Sequence, residues 1–251
     1  MTLKNKVCLI TGGGSGIGKA TAIKMASEGA KIIVVGRTET KINETVSHIE
    51  ENGGNVQGYT TDVSAQDSVT NLTSVIINEY SKIDVLLNNA GHSSKHRRLA
   101  TTTAEEIQSV IDSNLIGTIY CSQAVVPYMT AAEEGTIINV ASIAGLSPSN
   151  LGGMIYSAVK AAVINFTGFL NDDLKNTGIR ASVVIPGEVD TPILDNRPTP
   201  PDSNARAKMV TAEDTAEAIS MIARLPLRTN IPELQIRPTY VRDNSTEIEK
   251  L

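Results

Sequence analysis

The stretch TGGGSGIG (11–18) stands directly between the apolar run KVCLI (6–10) and a segment of helical periodicity. A strand, a glycine-rich turn and a helix in this order are typical of the phosphate-binding entry of a βαβ unit. Gly12 permits the tight turn, Gly16 lets backbone amides approach a pyrophosphate, and Gly18 allows the helix to pack closely on the strand. The stretch therefore predicts a dinucleotide-binding α/β domain, with a plain glycine-rich turn as the alternative.

Further short apolar runs follow at regular intervals. Most are rich in β-branched residues and unbroken by polar ones, which is typical of strands buried on both faces of a parallel sheet. Segments of helical periodicity separate them, so the pattern predicts an α/β fold: a Rossmann-type doubly wound parallel sheet of about seven strands with helices on both faces. We expect a single domain over residues 1–251. The later strands are predicted at 31–35, 55–59, 84–88, 135–140, 180–185 and 233–237.

Composition argues against several classes of protein. The chain has 251 residues and a formal net charge of −5, which argues against a general nucleic-acid binder. Its apolar runs are too short for a signal peptide or for a membrane span of about 20 residues. Cys8 and Cys121 are expected as buried thiols in a reducing cytosol, and His48, His92 and His96 form no metal-ligand pattern. We expect a cytoplasmic protein with no metal, nucleic-acid partner or membrane segment.

The end of the second strand bears on the choice of dinucleotide. An acidic residue at this position binds the ribose hydroxyls of NAD in a Rossmann unit. Here Gly36 holds that position and Arg37 follows, so that no negative charge repels a 2′-phosphate and a guanidinium is placed to bind it. This pattern favours NADP(H). NAD(H) is the alternative, with Arg37 as a solvated loop side chain.

The stretch YSAVK (156–160) places a tyrosine and a lysine four residues apart. On a helix this spacing puts both side chains on one face, with Cβ atoms about 5–6 Å apart. A cation so close lowers the pKa of a tyrosine hydroxyl, which is otherwise near 10. Taken alone, such a pair is common on a helix surface and usually inert.

Six motifs together resemble the short-chain dehydrogenase/reductase family in its NADP-preferring form. The glycine stretch has the spacing T-G-x-x-x-G-x-G, and the other motifs follow it in the family's order. The resemblance covers nearly the whole chain to about residue 191 and is weaker beyond it. The other motifs are LLNNAG (86–91), IDSNLIGT (111–118), NVASIAGL (139–146), YSAVK (156–160) and IPGEVDT (185–191).

The resemblance implies hydride transfer between NADP(H) and a ketone or secondary alcohol. Ser142 and Tyr156 would hold the carbonyl oxygen, Tyr156 would donate its proton, Lys160 would lower the tyrosine's pKa and hold the nicotinamide ribose, and Asn114 would hold a relay water. A catalytically silent dinucleotide sensor is the less favoured alternative. The implied cofactor-binding residues are Gly12, Ser15, Gly16, Ile17, Gly18, Arg37, Asp62, Val63, Asn88, Ala90, Gly91, Tyr156, Lys160, Pro186, Gly187, Val189 and Thr191. For Asn88 and Asn89, turn chemistry that pins strand to loop is an alternative or additional role.

Three segments are expected to line the substrate cleft, namely 92–99, 146–154 and a proline-rich lid at 188–210. The first contains the basic loop 95–98, which either attracts an anionic substrate or is a solvated loop or subunit contact; the solvated loop or subunit contact is favoured. Glu188 is charged where many relatives carry a smaller or apolar residue.

Two expectations concern the periphery of the protein. The charged C-terminal tail, 241–251, is expected to be mobile. In the family, the helices near 103–130 and 154–177 pair subunits, so the resemblance implies a homodimer or homotetramer.

Overall fold

A seven-stranded parallel sheet forms the centre of the computed structural model, which describes residues 2–248. The strand order is β3-β2-β1-β4-β5-β6-β7, so the direction of winding reverses between β1 and β4. Such a switch point opens a crevice at the carboxyl ends of the two strands. The predicted doubly wound sheet is confirmed. Its strands are β1 (Val7–Thr11), β2 (Lys31–Gly36), β3 (Asn55–Thr60), β4 (Val85–Asn88), β5 (Gly135–Val140), β6 (Ile179–Pro186) and β7 (Glu233–Ile236).

Helices cover both faces of this sheet. One five-residue π-helical turn, Asp112–Ile116, joins two of them without a break. None of the helices within residues 2–248 has the length and apolar character needed to cross a membrane. The helices are α1 (Gly16–Ser27), α2 (Glu39–Glu51), α3 (Gln66–Tyr80), α4 (Ala104–Ile111), α5 (Gly117–Ala132), α6 (Met154–Asp173), α7 (Ser203–Arg206) and α8 (Ala212–Arg224).

Alternate residues of each central strand face opposite helical layers. Cys8 and Ile10 of β1 pack in a cluster with α1, α2 and α8, whereas Val7 and Leu9 pack with α3, α5 and α6. Both faces of the central strands are largely apolar because both are covered, which is why most of the runs are unbroken by polar residues. Cys8 and Cys121 are buried as predicted, and burial raises the pKa of both thiols.

Two peripheral segments, the predicted lid and the C-terminal tail, contain local structure. The lid is not wholly irregular, because it contains a 3₁₀ turn at Pro192–Asn196 and the short helix α7, whose N-terminus is capped by Asp202. In the C-terminal tail, residues 249–251 lie outside the described residues. Within the described part, Arg242 forms ion pairs with Glu188 and Glu247, and the mobility of the tail stays a prediction.

Gly178, which precedes β6, has a φ of +80°, and a Cβ there would lie 1.8 Å from the carbonyl oxygen of Glu133. We expect Gly178→Ala to lower the free energy of unfolding by on the order of 3 kcal/mol, because backbone strain and a collision add. Gly53→Ala is the matched control, since Gly53 has a φ of +75° and a Cβ there would meet no atom within 4 Å. Gly53→Ala should lower the free energy of unfolding by about 1 kcal/mol. Because each kcal/mol changes the melting temperature by about 2–4 °C, thermal melting distinguishes the two variants. Equal melting temperatures for Gly178→Ala and Gly53→Ala would contradict a collision between the added Cβ at residue 178 and the Glu133 carbonyl.

Candidate active site

The glycine-rich turn lies at the switch point, between the end of β1 and the first turn of α1. Gly12 and Gly16 have φ values of +66° and +51°, in the left-handed region that favours glycine. A Cβ on Gly18 would lie 2.3 Å from the carbonyl oxygen of Gly12, so only glycine lets turn and helix approach this closely. Ser15, the N-cap of α1, makes no side-chain capping hydrogen bond. The free N–H groups of the first helical turn can therefore bind an anion.

Asn89 fixes the shape of this turn. Its Nδ2 donates to the carbonyl oxygens of Thr11 at 3.2 Å and Gly12 at 3.3 Å. Thr11 Oγ1 in turn accepts from the backbone N–H groups of Asn89 at 3.0 Å and Ala90 at 3.1 Å. These bonds hold the ends of β1 and β4 together, and Asn89 also lines the cleft in front of them.

Asn88 is bound inside the protein, behind the cleft. Its Nδ2 donates to Ser122 Oγ at 3.1 Å and to Asn139 Oδ1 at 2.9 Å. Asn139 Nδ2 then donates to Thr167 Oγ1 at 2.9 Å. This buried polar network joins β4, β5, α5 and α6. Asn88 therefore braces strands against helices, while the bonds from strand to turn are made by Asn89.

Ser142, Tyr156 and Lys160 meet near the carboxyl end of β5. Ser142 follows the strand by two residues, and its Oγ accepts from the backbone N–H of Ala144 at 3.2 Å. Tyr156 and Lys160 lie one turn apart near the start of α6, with Lys160 Nζ 5.5 Å from the centre of the tyrosine ring. Lys160 Nζ also donates to the Val140 carbonyl at 2.9 Å. The lysine is thereby fixed beside the tyrosine.

Asn114 lies in the π-helical turn between α4 and α5. Its Nδ2 donates to the carbonyl oxygens of His92 and Val110, each at 2.9 Å. Its Oδ1 is buried and has no hydrogen-bond partner among the described residues. Gly91 gives this oxygen room, because a Cβ there would lie 2.3 Å from it. The site therefore presents an unused acceptor, and π turns occur often at functional sites.

The surroundings of Tyr156 act on its hydroxyl in opposite directions. Burial raises the pKa of Tyr156 overall, although a hydrogen bond from Ser142 and the charges of Arg97 and Arg197 act in the opposite direction. The prediction that Lys160 lowers the tyrosine pKa is therefore wrong for the protein without its cofactor, because burial outweighs the charges around the hydroxyl, and the two arginines that oppose the shift were not predicted. Burial lowers the pKa of Lys160 itself to about 8. A group that exchanges its proton near neutral pH suits a relay.

The buried charge of Lys160 should make stability depend on pH. Below about pH 8 both folded and unfolded chains hold the proton, and the burial cost is present in full. Between pH 8 and 10.5 the unfolded chain binds more protons, so stability rises with pH. We expect the unfolding free energy of wild type, relative to Lys160→Met, to rise by about 1 kcal/mol or more across this window. Denaturant titrations at both ends measure it, and Lys175→Met controls for loss of an exposed lysine. A constant difference between wild type and Lys160→Met would contradict it.

Most of the predicted residues converge on one cleft of about 270 Å³ at the carboxyl ends of β1, β4, β5 and β6. The predicted residues that line it are Gly12, Ser15, Gly16, Ile17, Gly91, Asn114, Ser142, Tyr156, Lys160, Pro186, Gly187, Val189 and Thr191. Those outside its lining are Gly18, Arg37, Asp62, Val63, Asn88 and Ala90.

Two arginines on the cleft wall were missed as site residues. Arg97 belongs to the basic loop, but it is 5% exposed and its guanidinium donates to the Leu151 carbonyl. Arg197 reaches the cleft from the lid, and Glu188 lies beside it. Elsewhere in the basic loop, the backbone N–H groups of Lys95 and His96 both donate to the Glu106 carboxylate. In the sequence, the only sign of these two arginines is that they lie among other charged residues in segments that otherwise look like loops.

Arg37 and Asp62 lie at the ends of the neighbouring strands β2 and β3. The side chain of Arg37 is exposed, and the Thr61 N–H donates to the Gly36 carbonyl at 3.0 Å, which holds the two strand ends together. Burial alone would raise the pKa of Asp62, but hydrogen bonds from Ser64 and the charge of Arg37 lower it overall. The rim of the crevice therefore carries a positive and a negative group next to each other.

Comparison with known proteins shows which family the chain belongs to. The sequence profile described as short chain dehydrogenase matches residues 6–201. The chain belongs to the short-chain dehydrogenase family. An uncharacterized oxidoreductase of Staphylococcus epidermidis is 33% identical over 236 residues, spanning 94% of this chain and 98% of the relative. A Staphylococcus aureus oxidoreductase matches to the same extent. The protein is thus an oxidoreductase of this family.

Solved structures of short-chain dehydrogenases agree with this assignment. The closed form of serine dehydrogenase complexed with NADP+ has a TM-score of 0.86 at 29% identity, covering 98% of this chain and 100% of that one. A metagenomic short-chain oxidoreductase in complex with NADP has a TM-score of 0.83 at 27% identity, covering 96% and 100%. Levodione reductase has a TM-score of 0.86 at 26% identity, covering 94% and 97%.

The residues of this short-chain dehydrogenase fit a nicotinamide dinucleotide. Gly12, Gly16 and Gly18 leave a cradle that side chains would fill, and it faces the helix N-terminus where a pyrophosphate is stabilised. Lys160 and Tyr156 line the same cleft. Asn114 also lines it, and its Oδ1 is buried with no hydrogen-bond partner among the described residues.

Proposed function

We propose that the protein transfers a hydride between NADP(H) and a ketone or secondary alcohol. One observation carries the proposal: Asn114, Ser142, Tyr156 and Lys160 surround one cleft that also contains the glycine cradle. These four residues come from three separate parts of the chain, and the fold alone does not require their side chains at that place. A dinucleotide sensor would have no use for Tyr156 and Lys160 together.

The side chains divide the chemistry among them. NADPH, when bound, supplies the hydride that reduces the carbonyl carbon. The hydroxyls of Ser142 and Tyr156 donate to the carbonyl oxygen and stabilise the negative charge that develops on it. Tyr156 passes its proton to that oxygen. Lys160 then returns a proton toward the tyrosinate, and Asn114 Oδ1 accepts from a water that connects Lys160 with solvent.

The preference for NADP(H) rests on charge at the end of β2. Gly36 offers no carboxylate to the ribose hydroxyls, and the exposed Arg37 supplies a guanidinium next to them. Two of the similar solved structures contain NADP, which agrees with this choice. Asp62 is the observation that favours the NAD(H) alternative, because its carboxylate lies near Arg37 and competes with a phosphate for it.

Loss of NADPH absorbance across a panel of ketones and aldehydes tests the proposal, with NADP⁺ reduction by alcohols as the reverse assay. Serine belongs in the reverse panel because serine dehydrogenase is among the similar structures. Turnover of at least one compound, dependent on Tyr156, is the expected result. Tight NADPH binding with no turnover of any compound would favour the sensor instead.

We also propose a homodimer or homotetramer formed through α5 and α6. Phe169 on α6 is 57% exposed and Tyr128 on α5 is 40% exposed, and such large apolar side chains are suited to a subunit contact. Light scattering on wild type and on Phe169→Glu tests it; a monomeric wild type would overturn the proposal.

A further inference from the structure

Residues 188–197, the first part of the lid, form one side of the cleft, and we call them the lid wall. Most of them line the cleft. A Cβ on Gly16 would lie 3.2 Å from Thr191 Cγ2, so the middle of the lid wall packs against the glycine turn. At its end, the charge of Arg197 lies close enough to Tyr156 to act on its hydroxyl. The position of the lid wall therefore affects both the glycine cradle and the catalytic end of the cleft.

Contacts within the lid hold the lid wall unevenly. Backbone hydrogen bonds tie its start to Val210, whose carbonyl accepts from the Asp190 N–H at 2.9 Å and whose own N–H donates to the Glu188 carbonyl at 3.0 Å. Arg206 forms ion pairs with Asp190 and Asp195, whose side chains are 41% and 62% exposed. Because exposed ion pairs contribute little to stability, the end of the lid wall depends on other contacts.

Two arginines and two glutamates, which we call the clasp, connect the lid wall to the C-terminal segment. The Glu188 carboxylate accepts from Arg242 Nε at 2.7 Å and from Arg242 Nη2 at 2.6 Å, which makes a bidentate pair. The Glu247 carboxylate accepts from Arg197 Nη1 at 2.6 Å and from Arg242 Nη2 at 3.0 Å. Arg197 Nη1 also donates to Glu188 at 3.1 Å. Each carboxylate therefore pairs with the same two guanidiniums, and the four charges cancel.

The clasp is largely shielded from water. The side chains of Arg197, Arg242 and Glu247 are 8%, 9% and 6% exposed, and that of Glu188 is 20% exposed. Burial alone would raise the pKa of Glu247, but its hydrogen bonds to Arg242 and Arg197 lower it overall, so the carboxylate is ionised. A buried charge that loses its partner is costly, so the removal of one member leaves the others in an unfavourable state. We therefore expect the clasp to separate as a unit.

The clasp is also what attaches the C-terminal segment. Between residues 239–248 and the rest of the described chain, the hydrogen bonds are all made by Arg242 and Glu247. Tyr240 and Val241, which precede them, are 69% and 100% exposed. Arg242 and Glu247 are not among the described residues that line the cleft, so they act on it only through their partners in the lid wall.

We propose that Arg242 and Glu247 are positioning residues that hold the lid wall against the glycine cradle, and that separation of the clasp sets the rate at which a bound nicotinamide cofactor leaves. Thr191 lies against the turn that would bind the pyrophosphate, so release of the lid wall would free one side of that site. The inference goes beyond the proposed function and rests on it only for the cofactor that serves as a probe.

Hydrogen–deuterium exchange of the cofactor-free protein tests whether the clasp holds the lid wall. In Arg242→Met, the backbone amides of the lid wall should exchange at least about ten-fold faster, because the clasp has lost a buried charge. Exchange in β1, β4 and β5 should equal that of wild type, which distinguishes local release from a loss of overall stability. Arg242→Lys keeps the charge and should restore part of the protection. Arg237→Met is the matched control, because Arg237 is an exposed arginine of the same region that donates to Gln235. Its lid wall should exchange as in wild type.

Release of NADPH tests whether the lid wall controls cofactor exchange. Bound NADPH is displaced by excess NADP⁺ in a stopped-flow fluorimeter, and its dissociation rate constant should rise about ten-fold in Arg242→Met. The double variant Arg242→Met/Glu247→Gln removes one charge of each sign and should show the same rise. It excludes a simple loss of attraction for an anionic cofactor, which would mainly slow association. Arg237→Met should release NADPH at the rate of wild type.

The outcomes separate this inference from the proposed function. Unchanged exchange of the lid wall in Arg242→Met would overturn the inference, whether or not NADPH binds. Faster exchange with an unchanged NADPH dissociation rate would overturn it as well, since the lid wall would then not control release. If wild type binds neither NADPH nor NADH, the proposed function and the role in cofactor release both fail. Faster exchange in Arg242→Met would in that case still support the clasp as the anchor of the lid wall.

Discussion

Replacing Tyr156 by phenylalanine should lower turnover of a carbonyl substrate by about 10²–10⁴-fold while NADPH binding is retained. The substitution removes one hydroxyl and keeps the aromatic ring, whose centre lies 5.5 Å from Lys160 Nζ. Carbonyl reduction then lacks its proton donor and one of two hydrogen bonds to the developing oxyanion. Because the glycine cradle and the strand ends are untouched, cofactor affinity has no reason to change. Single-turnover NADPH oxidation measures the first effect and fluorescence titration the second.

Tyr240→Phe is the control for the Tyr156 variant, since Tyr240 is 69% exposed and lies outside the cleft lining. It should keep the turnover of wild type. The pH profile adds a second check, because a proton delivered by Tyr156 gives wild type a pH-dependent rate that the residual activity of Tyr156→Phe should lack. Turnover by Tyr156→Phe within a few-fold of wild type would refute the assignment of the proton donor.

The second large effect is expected for Arg37→Ala, which should weaken NADPH binding about 10–100-fold and NADH binding much less. A charge-assisted bond between a guanidinium and a phosphate contributes about 1.5–3 kcal/mol. NADH has no 2′-phosphate and cannot make this bond, so the loss of Arg37 should weaken its binding much less. Removing Arg37 also leaves Asp62 without its neighbouring positive charge, which disfavours a phosphate further. Dissociation constants for both cofactors, measured at one ionic strength, test the prediction.

Two variants sharpen the Arg37 result. Arg37→Lys keeps the charge but loses the planar fork, so its NADPH affinity should fall between those of wild type and Arg37→Ala. Arg228→Ala removes an exposed arginine that precedes β7, at the opposite edge of the sheet, and should change neither affinity. Equal losses for NADPH and NADH in Arg37→Ala would rule out the phosphate contact.

The sheet and the glycine turn could be predicted from sequence because their signals are local. The run KIIVV contains four consecutive buried residues of β2, as a strand covered on both faces requires. Gly12 and Gly16 have positive φ values and Gly18 packs on the Gly12 carbonyl, so these requirements arise within the turn itself. The same holds for the spacing of Tyr156 and Lys160, which one helical turn brings together.

Other parts of the site depend on contacts that no local pattern records. Asn88 and Asn89 are adjacent and chemically identical, and only the pleat of β4 decides which one braces the turn. Arg97 lies in a loop of polar residues, which by composition looks solvated. Glu188 pairs with Arg242, a residue more than fifty positions away in the chain. A charged tail gives no sign of such a partner, which is why mobility was expected there.

The π-helical turn Asp112–Ile116 has a further consequence for the helices on either side of it. An α-helix turns about 100° per residue, so one residue more or fewer changes which side of a continuous helix faces the sheet. The wide turn lets Asn114 face Gly91 while, beyond it, Cys121, Val125 and Met129 of α5 face the core. If one residue of this turn were deleted, Asn114 could not face Gly91 while the buried side chains of α5 face the core. Helix length in this region is therefore as tightly constrained as residue identity, and insertions or deletions between 104 and 132 should be far rarer among functional variants than substitutions.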